Sequence, residues 1–180
     1  MLAGKNISIV SQTALGVCDA DESGLSFAEN AIIKARHAAR QTSLPAIADD
    51  SGIEVDLLEG RPGIYSARYA GPGANDEENL ALLLDNLKQY RTKEIKARFH
   101  CAMIYMRHAE DPAPLIAQGT WHGVITWEPK GENGFGYDPV FYLPDYDCTS
   151  AELPPELKNK ISHRGQALRL LLELLSAILD

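Results

Sequence analysis

Ala97-Arg98-Phe99-His100-Cys101-Ala102-Met103-Ile104-Tyr105-Met106-Arg107 is followed, after Asp111-Pro112-Ala113-Pro114, by a second long apolar segment, Leu115 to Trp127. Both are rich in β-branched and aromatic residues, so the sequence predicts a pair of long antiparallel strands. Trp121 and Trp127, six apart, fall on one face and read as core or interface residues. His100 and His108 are too far apart for a helical pair of metal-binding imidazoles and read as structural.

Helices and strands alternate outward from this pair. Upstream, Ile7 to Val10 reads as a short strand. Ser26 to about Thr42 reads as a helix, opened by a Ser26-Phe27-Ala28-Glu29 capping box. On it, Asn30, Lys34, His37 and Gln41 form a wet stripe, and Phe27, Ala31, Ala35 and Ala38 an apolar one. Pro45 to Ala48 suits a short buried strand ending in a turn at Asp-Ser-Gly. Asn75, with Glu78 three residues on, caps a second helix from about Asp76 to Lys88. Downstream come a glycine-dense loop, Gly131 to Pro139, and a short strand, Val140 to Leu143. Thr149-Ser150-Ala151-Glu152 caps a short helix. Ser162 to Leu179 forms the last one, with Leu168, Leu171, Leu172 and Leu175 on its inner face. This order predicts a three-layer α/β fold.

With 180 residues, the chain has the length of one domain, 1–180, or of two lobes sharing a core. Its formal charge of −8 offers nucleic acid or anionic lipid no global attraction, so a phosphate site has to be a local basic pocket. Cys18, Cys101 and Cys148 are scattered and odd in number, which fits neither a disulfide framework nor a zinc site and points to a reducing cytoplasm. The stretch Met1 to Gln12 does not read as a secretory signal, and Leu168 to Leu179 is too short and too interrupted to span a bilayer.

Three segments could carry chemistry. In Ala48-Asp49-Asp50-Ser51-Gly52, adjacent strand side chains point to opposite faces, so one carboxylate enters a cleft and the other is structural. Hard oxygen ligands at the carboxyl end of a strand suit Mg²⁺, which takes one or two carboxylates plus substrate phosphates. An Asx turn explains the same residues. In Gly131 to Asp138 the glycines let backbone approach a ligand and Phe135 and Tyr137 offer flat faces to a base, although the bare pattern favours a mobile hairpin. In Lys158 to Gln166 a basic cluster meets the start of the last helix, where dipole and cations together favour an anion over a merely solvated face.

Read together, Ser-Phe-x-Glu-Asn-Ala (26–31), Ala-Asp-Asp-Ser-Gly (48–52), Pro-Gly-Ile-Tyr-Ser-Ala-Arg-Tyr (62–69), Gly-Phe-Gly-Tyr-Asp-Pro (134–139) and Ile-Ser-His-Arg-Gly-Gln-Ala (161–167) resemble the signature blocks of the inosine triphosphate pyrophosphatase family, and within it the bacterial dITP/XTP pyrophosphatases. The resemblance implies a long mixed, curved sheet with two lobes around an active-site cleft. It implies Mg²⁺-dependent hydrolysis of dITP, ITP and XTP to monophosphate and pyrophosphate, usually by a homodimer, with neither nucleic acid nor membrane as partner.

On the same resemblance, Asp50 is the catalytic carboxylate and a metal ligand, and Glu22 is a second metal ligand. Ser51 touches substrate, and Phe135, Gly136, Tyr137 and Asp138 line the nucleoside pocket. Lys158, His163 and Arg164 contact base and phosphates. A 6-keto purine presents an acceptor where adenine presents a donor, so Arg164 or backbone N–H donors would reject adenine by about 1–3 kcal/mol per buried partner lost. The resemblance also implies a first strand ending in a Thr-Gly-Asn-x-x-Lys phosphate loop, which Gly4-Lys5-Asn6 does not match; its loss would expose a sheet edge. A nucleotide-binding or dimer-partner protein without turnover, and a hydrolase of other modified nucleotides, are the alternative functions.

Overall fold

A computed structural model of the chain describes residues 8–179. Gly4-Lys5-Asn6 and Ile7 lie outside the described residues, and Ser8 to Val10, expected as a strand, are irregular. The strands are β1 (Ala46–Val55), β2 (Lys96–Met106), β3 (Leu115–Ile125), β4 (Phe141–Leu143) and β5 (Cys148–Thr149). They form one sheet in the order β1-β2-β3-β4-β5, with β3–β4 and β4–β5 antiparallel. The helices are α1 (Phe27–Thr42), α2 (Asp76–Leu87), α3 (Pro155–Ile161) and α4 (His163–Leu179). The α/β class follows directly. Among the described residues no helix is long and apolar enough to cross a membrane.

The chain divides into two compact units, one of residues 1–50, 101–118 and 167–180, the other of 51–100 and 119–166. In the first unit β2 is the middle of three layers. Its even residues Ala102, Ile104 and Met106 pack with Ala31 and Ala35 of α1, and its odd residues Cys101 and Met103 pack with Ala167, Leu171 and Leu175 of α4. Covering both faces requires the near-continuous apolar run that the sequence shows at 101–106. Full burial of Leu171 and Leu175 contributes roughly 1.5–3 kcal/mol each. Leu168, expected on the inner face of α4, is exposed; Ala167 takes the inward position.

In the second unit the same strand is one-sided. Ala97 and Phe99 join Ile53, Val55, Trp121, Leu83 and Leu87 in a core. The intervening Arg98 and His100 form a polar network instead: Arg98 Nε donates to Glu54 Oε2 at 2.9 Å, and His100 Nε2 lies 3.0 Å from the same oxygen. Period-two alternation in Arg98-Phe99-His100 already encodes this half-wet face.

The helix starts follow their caps, with one amendment. Asn75 and Glu78 satisfy each other's backbone in a full capping box on α2. At α1, Ser26 Oγ accepts from Glu29 N at 3.2 Å, but the Glu29 carboxylate takes the Leu25 N–H at 2.7 Å and the Ser26 hydroxyl, not the Ser26 N–H. Thr149 and Glu152 form the third expected box, over a single 3-10 turn, Ser150–Glu152.

Candidate active site

Two polar clusters hold the residues singled out in the sequence, one in each unit. The first is built on β1 and α1. β1 does not turn at Asp-Ser-Gly; it runs unbroken to Val55, so the Asx-turn explanation of Asp49 and Asp50 fails. Strand alternation then separates the two carboxylates. Asp49 sits 3.8 Å from Cys101 Sγ, whereas Asp50, only 8% exposed, meets α1.

There Lys34 Nζ donates to Asp50 Oδ1 at 2.8 Å and to Glu22 Oε1 at 3.1 Å. Asn30, one helical turn earlier, donates to Asp50 Oδ2 at 3.3 Å and accepts the Gly24 N–H at 2.9 Å. A Cβ at Gly24 would stand 2.7 Å from Asn30 Oδ1, so only glycine lets the Glu22 segment lie this close to the helix. Asn30, read as part of a wet stripe, is fully buried. It became a structural hinge between strand, helix and loop because its amide can donate and accept at once.

Burial works to lower the Lys34 pKa, but the hydrogen bonds and charges of Asp50 and Glu22 outweigh it and hold the ammonium above its ordinary value. Two carboxylates thus converge on one cation. That donor set fits Mg²⁺, which needs only one or two protein carboxylates and takes phosphate or water oxygens for the rest. Among the described residues there is no cluster of three or more acidic, His or Cys side chains that could hold a metal alone.

The second cluster lines a pocket of about 430 Å³ within the second unit. Ser51, Phe135, Gly136, Tyr137, Asp138, Lys158, His163 and Arg164 all reach it, joined by Ser66, Asp76, Asn79 and Phe99, which the sequence did not single out. The glycine-dense loop makes the pocket possible. Gly134 has φ of 89°, and a Cβ there would stand 2.2 Å from Asp138 Oδ2 and 2.5 Å from Lys158 Nζ. Beneath it the buried Asp138 carboxylate accepts from Phe135 N at 2.9 Å, from Ser150 Oγ at 2.7 Å and from Lys158 Nζ.

Phe135 is 61% exposed, and Lys158 Nζ lies 5.5 Å and the Arg164 guanidinium 5.2 Å from the centroid of its ring. Tyr137 is buried, and its hydroxyl donates to Ser66 O at 2.8 Å. Burial first, then the neighbouring Tyr69 and Asp76, keep that phenol protonated well above its usual range.

The basic cluster is not all at one helix start. Lys158 and Lys160 occupy the last turn of α3, where a cation suits the dipole, and only His163 and Arg164 open α4. A Cβ at Gly165 would stand 2.0 Å from Asn159 O, so glycine permits the tight passage from α3 into α4.

His163 stacks on Phe99 with ring centroids 4.7 Å apart and planes 10° from parallel. Burial, with Arg164 and Lys158 nearby, pushes its pKa down to about 3. Its Nδ1 is buried with no hydrogen-bond partner among the described residues. The depressed pKa has a stability consequence. Between the unfolded value near 6.5 and about 3, the unfolded chain binds a proton that the folded chain refuses, so stability falls as pH drops through that window. Each pH unit is worth about 1.4 kcal/mol. From pH 6.5 to 5, chemical denaturation should therefore show wild type losing on the order of 2 kcal/mol more than His163→Phe, which keeps a ring against Phe99 and cannot titrate. Parallel pH profiles would refute the neutral buried imidazole.

A profile of the Ham1 family matches residues 1–174. The dITP/XTP pyrophosphatase of Escherichia coli strain K12 is 58% identical over 175 residues, covering 97% of this chain and 89% of that protein. That of Thioalkalivibrio sulfidiphilus is 58% identical over 173 residues, 96% of this chain and 88% of its own. Among solved structures, a HAM1 protein from Coxiella burnetii superposes with a TM-score of 0.93 at 50% identity, over 98% of this chain and 89% of that one. The Ham1 protein of Staphylococcus aureus does so at 0.83 and 42% identity, over 92% and 84%.

Proposed function

The chain belongs to the Ham1 family, and from that premise we propose that it hydrolyses dITP, ITP and XTP to the monophosphate and pyrophosphate, clearing deaminated purines from the nucleotide pool. The observation that carries this reading is the pocket. It has the volume of a small-ligand site and an exposed aromatic residue with two cations close to its ring.

In this reading Phe135 stacks on the base, while Lys158 and Arg164 supply positive charge that the acidic chain otherwise lacks. Glu22 and Asp50 would hold Mg²⁺, which supplies neutralisation of the polyphosphate charge when bound. Asp50 takes the proton of the attacking water, so that the new P–O bond forms at the α-phosphorus as pyrophosphate leaves. Lys34 holds both carboxylates directed at one spot until the metal and phosphates arrive. A second copy of the chain is the expected partner.

Pyrophosphate release measured on dITP, XTP, dATP and dGTP tests the proposal. Turnover of dITP and XTP should exceed that of dATP at least about 10-fold, one lost buried hydrogen-bond partner's worth, and should stop when EDTA removes the metal. Equal turnover of all four would sink it, and calorimetric binding of ITP without product would favour a binding protein.

A further inference from the structure

The loop that carries Phe135 is held mostly by residues close to it in the chain. Lys130 N donates to Pro139 O at 2.9 Å, Asn133 N to Ala151 O at 3.0 Å, and Phe135 N to Asp138 Oδ2 at 2.9 Å. Two tethers reach further. The Tyr137 hydroxyl donates at 2.8 Å to Ser66 O, seventy-one residues away, and fixes the far end of the loop; the second holds the backbone beside Phe135. Gly136 N donates at 2.7 Å to Oδ2 of Asp76, sixty residues away at the start of α2. Asp76 lines the pocket, as does Asn79 one turn further along α2. A carboxylate at that helix start is favoured by the dipole, and its bond to an amide is charge-assisted. Gly134 and Gly136, with φ of 89° and 60°, flank Phe135 on both sides, so the loop has little stiffness of its own to hold the ring in place.

We propose that Asp76 is a positioning residue for base recognition, tying the Phe135 loop to α2 through the Gly136 amide so that the ring is preset for stacking. This inference rests on the function proposed above. The tether is used on substrate binding rather than in the chemical step, and its removal should therefore weaken affinity and leave turnover intact. Asn at this position keeps an acceptor oxygen; Ala does not. The Asn75–Glu78 capping box remains in either variant, so α2 stays formed.

Two measurements decide it, made on the full chain: steady-state kinetics with dITP, and hydrogen exchange of the Gly136 amide without nucleotide. In Asp76→Ala, KM should rise about five-fold with kcat within about two-fold, and the Gly136 amide should exchange several-fold faster. Asp76→Asn should stay within about two-fold of wild type in KM. In a Phe135→Ala background, Asp76→Ala should add nothing further to KM, because the ring it positions is gone. Unchanged exchange, a fall in kcat at constant KM, no rescue by Asn, or the same KM factor without Phe135 would each overturn the proposal. If wild type turns over none of the triphosphates, the functional reading has failed on its own account, and exchange at Gly136 then decides the tether.

Discussion

Asp50→Asn should lower pyrophosphate release from dITP by at least about 10³-fold while leaving a folded protein. The variant is nearly isosteric but removes both the proton acceptor and the charge. Asp50 now accepts from Lys34 and from Asn30 through its two oxygens. An amide can satisfy one of them and must face the other with its NH₂, so a stability loss of about 1–3 kcal/mol accompanies the substitution. Glu22 still pairs with Lys34, which keeps the α1 side of the cluster in place. Thermal unfolding separates the two effects: a modest drop in Tm with abolished turnover is the expected pair of results. Activity within ten-fold of wild type would remove Asp50 from the chemistry.

Asp138→Ala should have the largest effect on stability, about 3 kcal/mol or more, together with loss of detectable dITP binding. Its carboxylate is 3% exposed and serves three donors, so truncation strands the Lys158 ammonium and the Phe135 amide at once. The compensating change tells structure from function. Adding Lys158→Met removes the stranded charge and should recover much of the stability, since a buried ion pair replaced by apolar groups is often neutral. Binding should not return, because the cation beside Phe135 is then gone. Recovery of both in the double variant would mean that the pair only props up the loop.

How far each was readable depends on the range of the interactions. The capping pairs Asn75/Glu78 and Thr149/Glu152 lie three residues apart and could be placed from the sequence. The pocket residues in 131–138 and 158–164 were legible because glycine, aromatic and basic residues cluster locally there, and because five blocks resembled a known family. Lys34 and Asn30 were misread as a solvated stripe. Helical periodicity assigns a polar face but cannot say that a strand carboxylate, twenty residues after Asn30 and sixteen after Lys34, will cover it. Lys158 and Arg164 read as one helix start, because Gly165, which permits the break at Ser162, lies inside α4 and needs its contact with Asn159 O to be understood.

What the sequence determined by itself was therefore the class of fold, the starts of α1 and α2 and the chemical types available, because caps, periodicity and composition act over a few residues. Tertiary structure alone decided that Asp50 rather than Asp49 faces Lys34, that Asn30 is buried, and that Asp76 reaches the Gly136 amide. Those outcomes depend on which distant groups end up within about 3 Å of one another, and a hydrogen bond is specified by that distance and direction rather than by separation along the chain.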